Sequence, residues 1–161
     1  MGKGMGLEKL KEEYGKLEKK HGLPGFEEMN KDFYIERLAE NETEILIREV
    51  RRMVGDRMAN YMRFIENILN PVNVPMFIFS IIKLISPEEK KQLSETYKAL
   101  IKNELKFIEA DLNLDDSREA EFIKESYRFW QDIKKEMSGI LRNAEKMWDS
   151  KSEETSKGYF G

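Results

Sequence analysis

Five of the nine arginines in this chain crowd into sixteen positions: Arg48, Arg51, Arg52, Arg57 and Arg63. A basic run of this kind suits phosphate contacts, because each cation that neutralises a phosphate releases a counterion. Its spacing argues for a different use. Glu44 precedes Arg48 by four residues, Arg52 precedes Asp56 by four and Glu49 precedes Arg52 by three, so much of the charge has a helical neighbour of opposite sign. The segment from Glu27 to Glu44 holds seven carboxylates against Lys31 and Arg37, and it lies close enough in the chain to fold against the run. Nucleic-acid association through the arginine-rich third helix therefore ranks as an alternative, behind structural ion pairing. Arg57 stands apart within the run. Val50, Met53, Val54, Tyr61 and Phe64 share its face at helical spacing, which sets the guanidinium on the apolar side. Burying that cation is costly unless a carboxylate and hydrogen bonds meet it. The expected partner is Glu104, Glu88 or Asp32. A small-ligand or anion site beside Arg57, walled by aromatics, is the second alternative.

Other reaction chemistry finds no constellation. His21 is the single histidine and falls at a helix end, where the dipole favours it. A nucleophilic triad has no better base, and a di-iron bundle needs two Glu-x-x-His motifs. Cysteine is absent, which removes disulfides and thiol chemistry and suits a reducing compartment. Gly2, Gly4 and Gly6 follow no strand and lack the phosphate-loop lysine pattern. No catalytic residue, cofactor-binding residue or metal ligand is assigned, no cofactor is expected, and the balance is against an enzyme. The candidate binding residues are Arg48, Arg51, Arg52, Arg57, Arg63 and Trp148.

The elements that must position these side chains are helical. Leu7, Leu10, Tyr14, Leu17 and His21 mark one stripe of a first helix, which Gly22-Leu23-Pro24-Gly25 ends. Phe26 to Asp32 suits one or two helical turns, and Phe33-Tyr34-Ile35 an irregular linker that tucks aromatics inside. Asn41 or Thr43 is the expected cap of a long helix running to about Leu69, with Ile47, Val50, Val54, Arg57, Tyr61, Phe64 and Ile68 along it. Met53, Met58, Met62 and Ile65 widen its apolar face, and the methionines read as core ahead of an adaptable groove. Gly55 in the helix interior costs about 1 kcal/mol relative to Ala, so another element is expected to approach closely there.

Asn70-Pro71-Val72-Asn73-Val74-Pro75 interrupts this pattern, and Met76 to Ile85 follows almost without polar residues. The run is expected to form a short helix buried nearly all round, with Phe77, Ile78, Ile81 and Leu84 inside. At roughly 17 Å it is too short for a bilayer, whose crossing takes about 20 apolar residues. Ser86 and Pro87 suit the cap and first position of the next helix, which carries Leu93, Tyr97, Leu100, Ile101, Leu105, Ile108 and Leu112 on one face. Asp116 or Ser117 is expected to cap the last helix. There Ile123, Trp130, Met137 and Ala144 fall seven apart, as do Ser126, Ile133, Ile140 and Met147, with Leu141 and Trp148 extending the stripe. From Ser150 the composition turns to Ser, Lys, Glu and Gly and predicts a disordered tail over 150–161.

The chain is long enough at 161 residues for one domain with its own core. A net charge of -3 is too small to argue for a polyanionic partner. Abundant Lys and Glu beside only Gln92 and Gln131 lean towards a thermophile. No apolar leader is visible and a cytoplasmic location without a membrane role is expected. The stretches Leu23-Pro24-Gly25-Phe26-Glu27-Glu28, Asn70-Pro71, Pro75-Met76-Phe77 and Glu119-Ala120-Glu121-Phe122-Ile123-Lys124 resemble an archaeal family of all-helical proteins of unknown function. That resemblance implies an archaeal, cytosolic, all-α protein and assigns no activity, ligand or site residue. The expected fold is all-α, an irregular bundle of four to five helices with one short buried helix, as a single domain over 1–149. Its expected function is non-enzymatic: interaction with another protein or scaffolding, with a homodimer ahead of a monomer and Trp148 at a self-complementary contact.

Overall fold

The computed structural model describes residues 4–160, with side chains as far as Glu153. The fold is all-α, and among the described residues there is no strand. The helices are α1 (Leu7–His21), α2 (Phe26–Phe33), a 3₁₀ helix (Ile35–Glu40), α3 (Leu46–Leu69), α4 (Met76–Leu84), α5 (Pro87–Leu112) and α6 (Asp116–Phe160). Among the described residues seven helices replace the expected four to five with one short one. The additions are α2 and the 3₁₀ helix, which occupy the stretch read as a turn or two and a linker. Tyr34 adopts a left-handed conformation (φ 54°) that closes α2 and opens the 3₁₀ helix, and this drives Phe33 and Ile35 inside while its own ring stays out.

The chain divides into two compact units, each discontinuous in sequence. The first takes the chain up to Asn60 together with Ile101–Trp130, and the second takes Tyr61–Leu100 and the chain from Gln131. In the first unit Leu10, Tyr14, Met29, Phe33, Ile35, Val50, Val54, Met58, Ile123 and Trp130 are buried. Gly22 ends α1 in the left-handed region (φ 68°), its N–H donating to the Glu18 carbonyl, as the Gly-Leu-Pro-Gly stretch predicts. The Tyr14 hydroxyl then pins the returning chain by donating to the Pro24 carbonyl at 2.5 Å, with its ring edge-on to Phe26.

In the second unit Ile65, Ile68, Ile78, Leu84, Leu93, Leu100, Ile133, Met137, Ile140 and Ala144 are buried. The start of α5 is a reciprocal cap: Ser86 Oγ accepts from the Glu89 N–H at 3.1 Å, and Glu89 Oε1 accepts from the Ser86 N–H at 3.0 Å. The start of α6 is capped one residue earlier than expected, by Asp115, whose carboxylate accepts from the Ser117 N–H at 2.8 Å. α6 continues as helix to Phe160 where a disordered tail was expected. Lys, Glu and Ser tolerate helix well enough for this; Gly161 lies outside the described residues.

α4 departs from expectation. Ile78 and Leu84 are buried, but Met76 and Phe79 are exposed, Phe77 is 63% exposed, and Ile81 and Ile82 are half-buried. A nine-residue helix held at one edge can bury only one stripe, whatever its composition. The core in this unit is completed by α3, α5 and α6 instead.

Candidate functional site

In the first unit the basic run of α3 resolves into paired charges. Arg51 and Glu119 are both 0% exposed. One oxygen, Glu119 Oε1, accepts from Arg51 Nε at 3.1 Å and from Arg48 Nε at 3.2 Å. Arg51 Nη2 donates to Asp111 Oδ1 at 2.9 Å, and its guanidinium lies over the Phe107 ring, 4.9 Å from the centroid. That hydrogen bond holds the Asp111 carboxyl below its usual range. Arg51 Nη1 and Glu119 Oε2 have no partner among the described residues.

Gly55 lets this cluster close. A Cβ at Gly55 would collide with the Phe107 ring, so the missing side chain admits the aromatic that carries Arg51. The close approach expected at Gly55 is therefore present, and its partner is Phe107. Two cations against two carboxylates leave little net field, and the arrangement ties α3 to α5 and α6. The neighbouring Arg52 pairs with Glu49 at 2.9 Å on the surface. Arg63 is exposed and lies in the second unit.

Arg57 is not the buried arginine. Its side chain is exposed, 5.4 Å above the Trp130 ring, and it meets neither Glu104, Glu88 nor Asp32 in an ion pair. Arg51 occupies the interior position because it falls four residues after Ile47 and three before Val54, on the face they and Met58 bury, whereas Arg57, six residues on, is turned about 120° away from it. The face assigned around Arg57 was thus rotated from the true one. Beside Arg57 a cleft of about 510 Å³ opens to solvent, lined by Lys31, Asp32, Arg37, Glu40 and Asp56 among others. Its cations and carboxylates are matched.

The most unusual surface is on α5. From Leu100 onward its buried positions are Leu100, Asn103 and Ala110, with Phe107 half-buried. Asn103 Nδ2 donates to Ser126 Oγ of α6 at 2.9 Å, and Phe107 packs edge-on against Phe122 with centroids 5.6 Å apart. The aliphatic stripe expected to enter the core faces out. Ile101 and Ile108 are exposed, Leu105 is 62% exposed and Leu112 is 78% exposed. Their intervals of four, three and four are those of the a and d positions of a heptad. On α6, in the second unit, Leu141, Met147 and Trp148 are also exposed, while Ile133, Met137, Ile140 and Ala144 of the same heptad pattern are buried.

Among the described residues no group of three or more His, Asp or Glu side chains converges as a metal site. No helix among them is long and apolar enough to cross a membrane. No family model, no curated protein and no solved structure matches the chain. Of the six candidate residues, Arg48 and Arg51 are brought together, Arg52, Arg57 and Arg63 stand apart on the surface, and Trp148 is exposed. Glu119, Asp111 and Phe107 escaped the sequence reading. Glu119 carried one signal: it lies three and four residues before Phe122 and Ile123, on the face they bury.

Proposed function

We propose that the chain is a non-enzymatic protein-interaction module that docks an amphipathic helix on the outer face of α5. The carrying observation is the double face of α5: Leu100, Asn103, Phe107 and Ala110 point inward while the aliphatic stripe of Ile101, Leu105, Ile108 and Leu112 points outward. A helix apolar on both sides is ordinarily covered on both, and the a/d intervals select a helix as the cover. Isolated exposed leucines need no explanation, but an ordered stripe of four does.

Titrating ¹⁵N-labelled protein with a synthetic two-heptad peptide bearing leucine at its a and d positions tests the reading. Amide shifts centred on Ile101, Leu105, Ile108 and Leu112 support it, and their loss in Leu105→Glu/Leu112→Glu ties them to the stripe. An unperturbed α5 at millimolar peptide refutes it.

A second reading, a small ligand beside Arg57, is favoured by the cleft and by a guanidinium that no carboxylate engages. With cations and carboxylates matched there, a zwitterion suits it better than a simple anion. Calorimetric titration with inorganic phosphate and with a free amino acid, on wild type and Arg57→Ala, separates these. Heat lost in the variant supports a site, and no heat from either probe removes it. Phosphate contacts by the α3 arginines have less support, since Arg48, Arg51 and Arg52 already meet carboxylates of this chain.

A further inference from the structure

We infer that the helix docking on α5 is α5 of a second copy, packed antiparallel about a two-fold axis between Leu105 and Ile108. This rests on the interaction reading above and names its partner. Placing Leu105 and Leu112 at a and Ile101 and Ile108 at d puts Lys102 and Glu109 at the e positions, and Glu104 and Asp111 at the g positions, all flanking the stripe. The residues held inside, Leu100, Asn103, Phe107 and Ala110, fall at c and f, on the opposite side of the helix. The outer seam is therefore available without disturbing the inner one.

The flanking charges choose the orientation. A parallel pair brings each g residue near the e residue of the following heptad, which sets Glu104 against Glu109 of the partner subunit on both sides. An antiparallel pair brings e residues together instead, and sets Lys102 against Glu109 of the partner subunit, twice by symmetry. Glu109 also meets Arg118 of its own chain at 3.2 Å, which softens this attraction and, equally, the parallel pair's repulsion. The antiparallel pair also brings Glu104 towards Asp111 of the partner subunit. In this chain Asp111 already accepts from Arg51 at 2.9 Å, and that contact offsets the repulsion. Antiparallel packing lays Leu105 on Ile108 of the partner subunit and Ile101 on Leu112 of the partner subunit, so the four aliphatic residues cover one another with none left over.

Two heptads are a short seam. Stable dimers bury about 800 Å² from each partner; the four partly exposed aliphatic side chains offer about half of that, and the stems of the flanking Lys102, Glu104 and Glu109 add the rest. The dimer is accordingly weak, with a dissociation constant in the micromolar range.

Sedimentation equilibrium of the full chain from about 1 to 300 µM tests it. The expected result is a monomer–dimer equilibrium that Leu105→Glu/Leu112→Glu weakens at least about 100-fold. Both positions are exposed, and an unchanged circular dichroism spectrum shows that the variant folds. Lys102→Glu alone and Glu109→Lys alone are each expected to weaken the dimer about fivefold, because two exposed ion pairs become like-charge contacts. Lys102→Glu/Glu109→Lys together should restore it to within about twofold. Singles that weaken without restoration overturn the antiparallel register. A monomer throughout the concentration range overturns the dimer. In that case the synthetic amphipathic peptide decides the reading beneath it: binding at the stripe leaves the docking function standing, and no binding removes both.

Discussion

The Arg51–Glu119 pair makes an unequal demand on its two members, and that asymmetry is measurable. Both side chains are fully buried. Breaking a buried ion pair from one side costs about 3–5 kcal/mol, because it strands the other charge. Arg51→Met leaves Glu119 with Arg48, still donating to Oε1 at 3.2 Å, so the loss sits at the low end, about 3 kcal/mol. Glu119→Leu is worse. It leaves two guanidinium groups that had shared one oxygen, with only Asp111 to meet Arg51, and the expected loss is about 5 kcal/mol. The double variant Arg51→Met/Glu119→Leu removes both buried charges and should lie within about 2 kcal/mol of wild type.

Urea unfolding, followed by circular dichroism with equal slopes required across the set, reads all three. A midpoint lower in Arg51→Met than in Glu119→Leu would refute the assigned geometry. So would a double variant as unstable as the sum of the singles, since the two residues would then be uncoupled.

Phe77→Ala should change stability by less than about 1 kcal/mol in urea unfolding, because its ring is largely in solvent, whereas Ile78→Ala one residue on should cost about 2–4 kcal/mol. Gly55→Ala, which in an open helix interior would stabilise by about 1 kcal/mol, should instead lower the melting midpoint by an amount worth about 1–3 kcal/mol, because the new methyl meets Phe107. The Tyr61 phenol is pushed up to about 12 from an ordinary value of 10.0, first by burial and then by the Glu136 carboxylate. The unfolded chain therefore releases its proton first, so stability present below pH 10 falls as pH rises towards 12. At pH 11 the part due to Tyr61, reduced by its partial exposure, is up to about 1 kcal/mol, and Tyr61→Phe should flatten that part of the urea-midpoint profile.

What the sequence disclosed and what it concealed follow from local and non-local physics. Gly22, Ser86, Pro87 and the heptad positions of α6 from Ile123 to Ala144 act through their own neighbours along the chain and behave as their residue types dictate, whereas Met147, last of the pattern, is exposed. Facing was harder. Arg57 and Arg51 both lie within reach of the apolar stripe of α3, and which of them enters is decided by Glu119, dozens of residues away. The hydrophobicity of α4 identified a helix but could not say that only Ile78 and Leu84 would find cover. α5 offered two apolar faces, and the richer one was taken for the core. The Glu49–Arg52 pair was legible in the spacing, but not that Glu119 and Asp111 would take Arg48 and Arg51; the outward stripe was legible as a stripe and assigned to the wrong side.

Magnitudes show why α5 turns its aliphatic residues outward. Rotating it by half a turn would bury Ile101, Leu105, Ile108 and Leu112 further, and a fully buried aliphatic side chain contributes about 1.5–3 kcal/mol. Each is already partly covered, so the gain is about 4–5 kcal/mol in all. The same rotation would expose Leu100 and free Phe107 from Phe122, returning about 3 kcal/mol. It would also break the buried Asn103–Ser126 hydrogen bond, about 1 kcal/mol, and leave the Arg51 cation without its aromatic bed and without Asp111, about 1.5–3 kcal/mol more. The polar contacts therefore outweigh the small aliphatic surplus and hold the observed facing. The proposed second copy would remove the conflict, because an antiparallel seam would cover the aliphatic face while the inner contacts remain as they are.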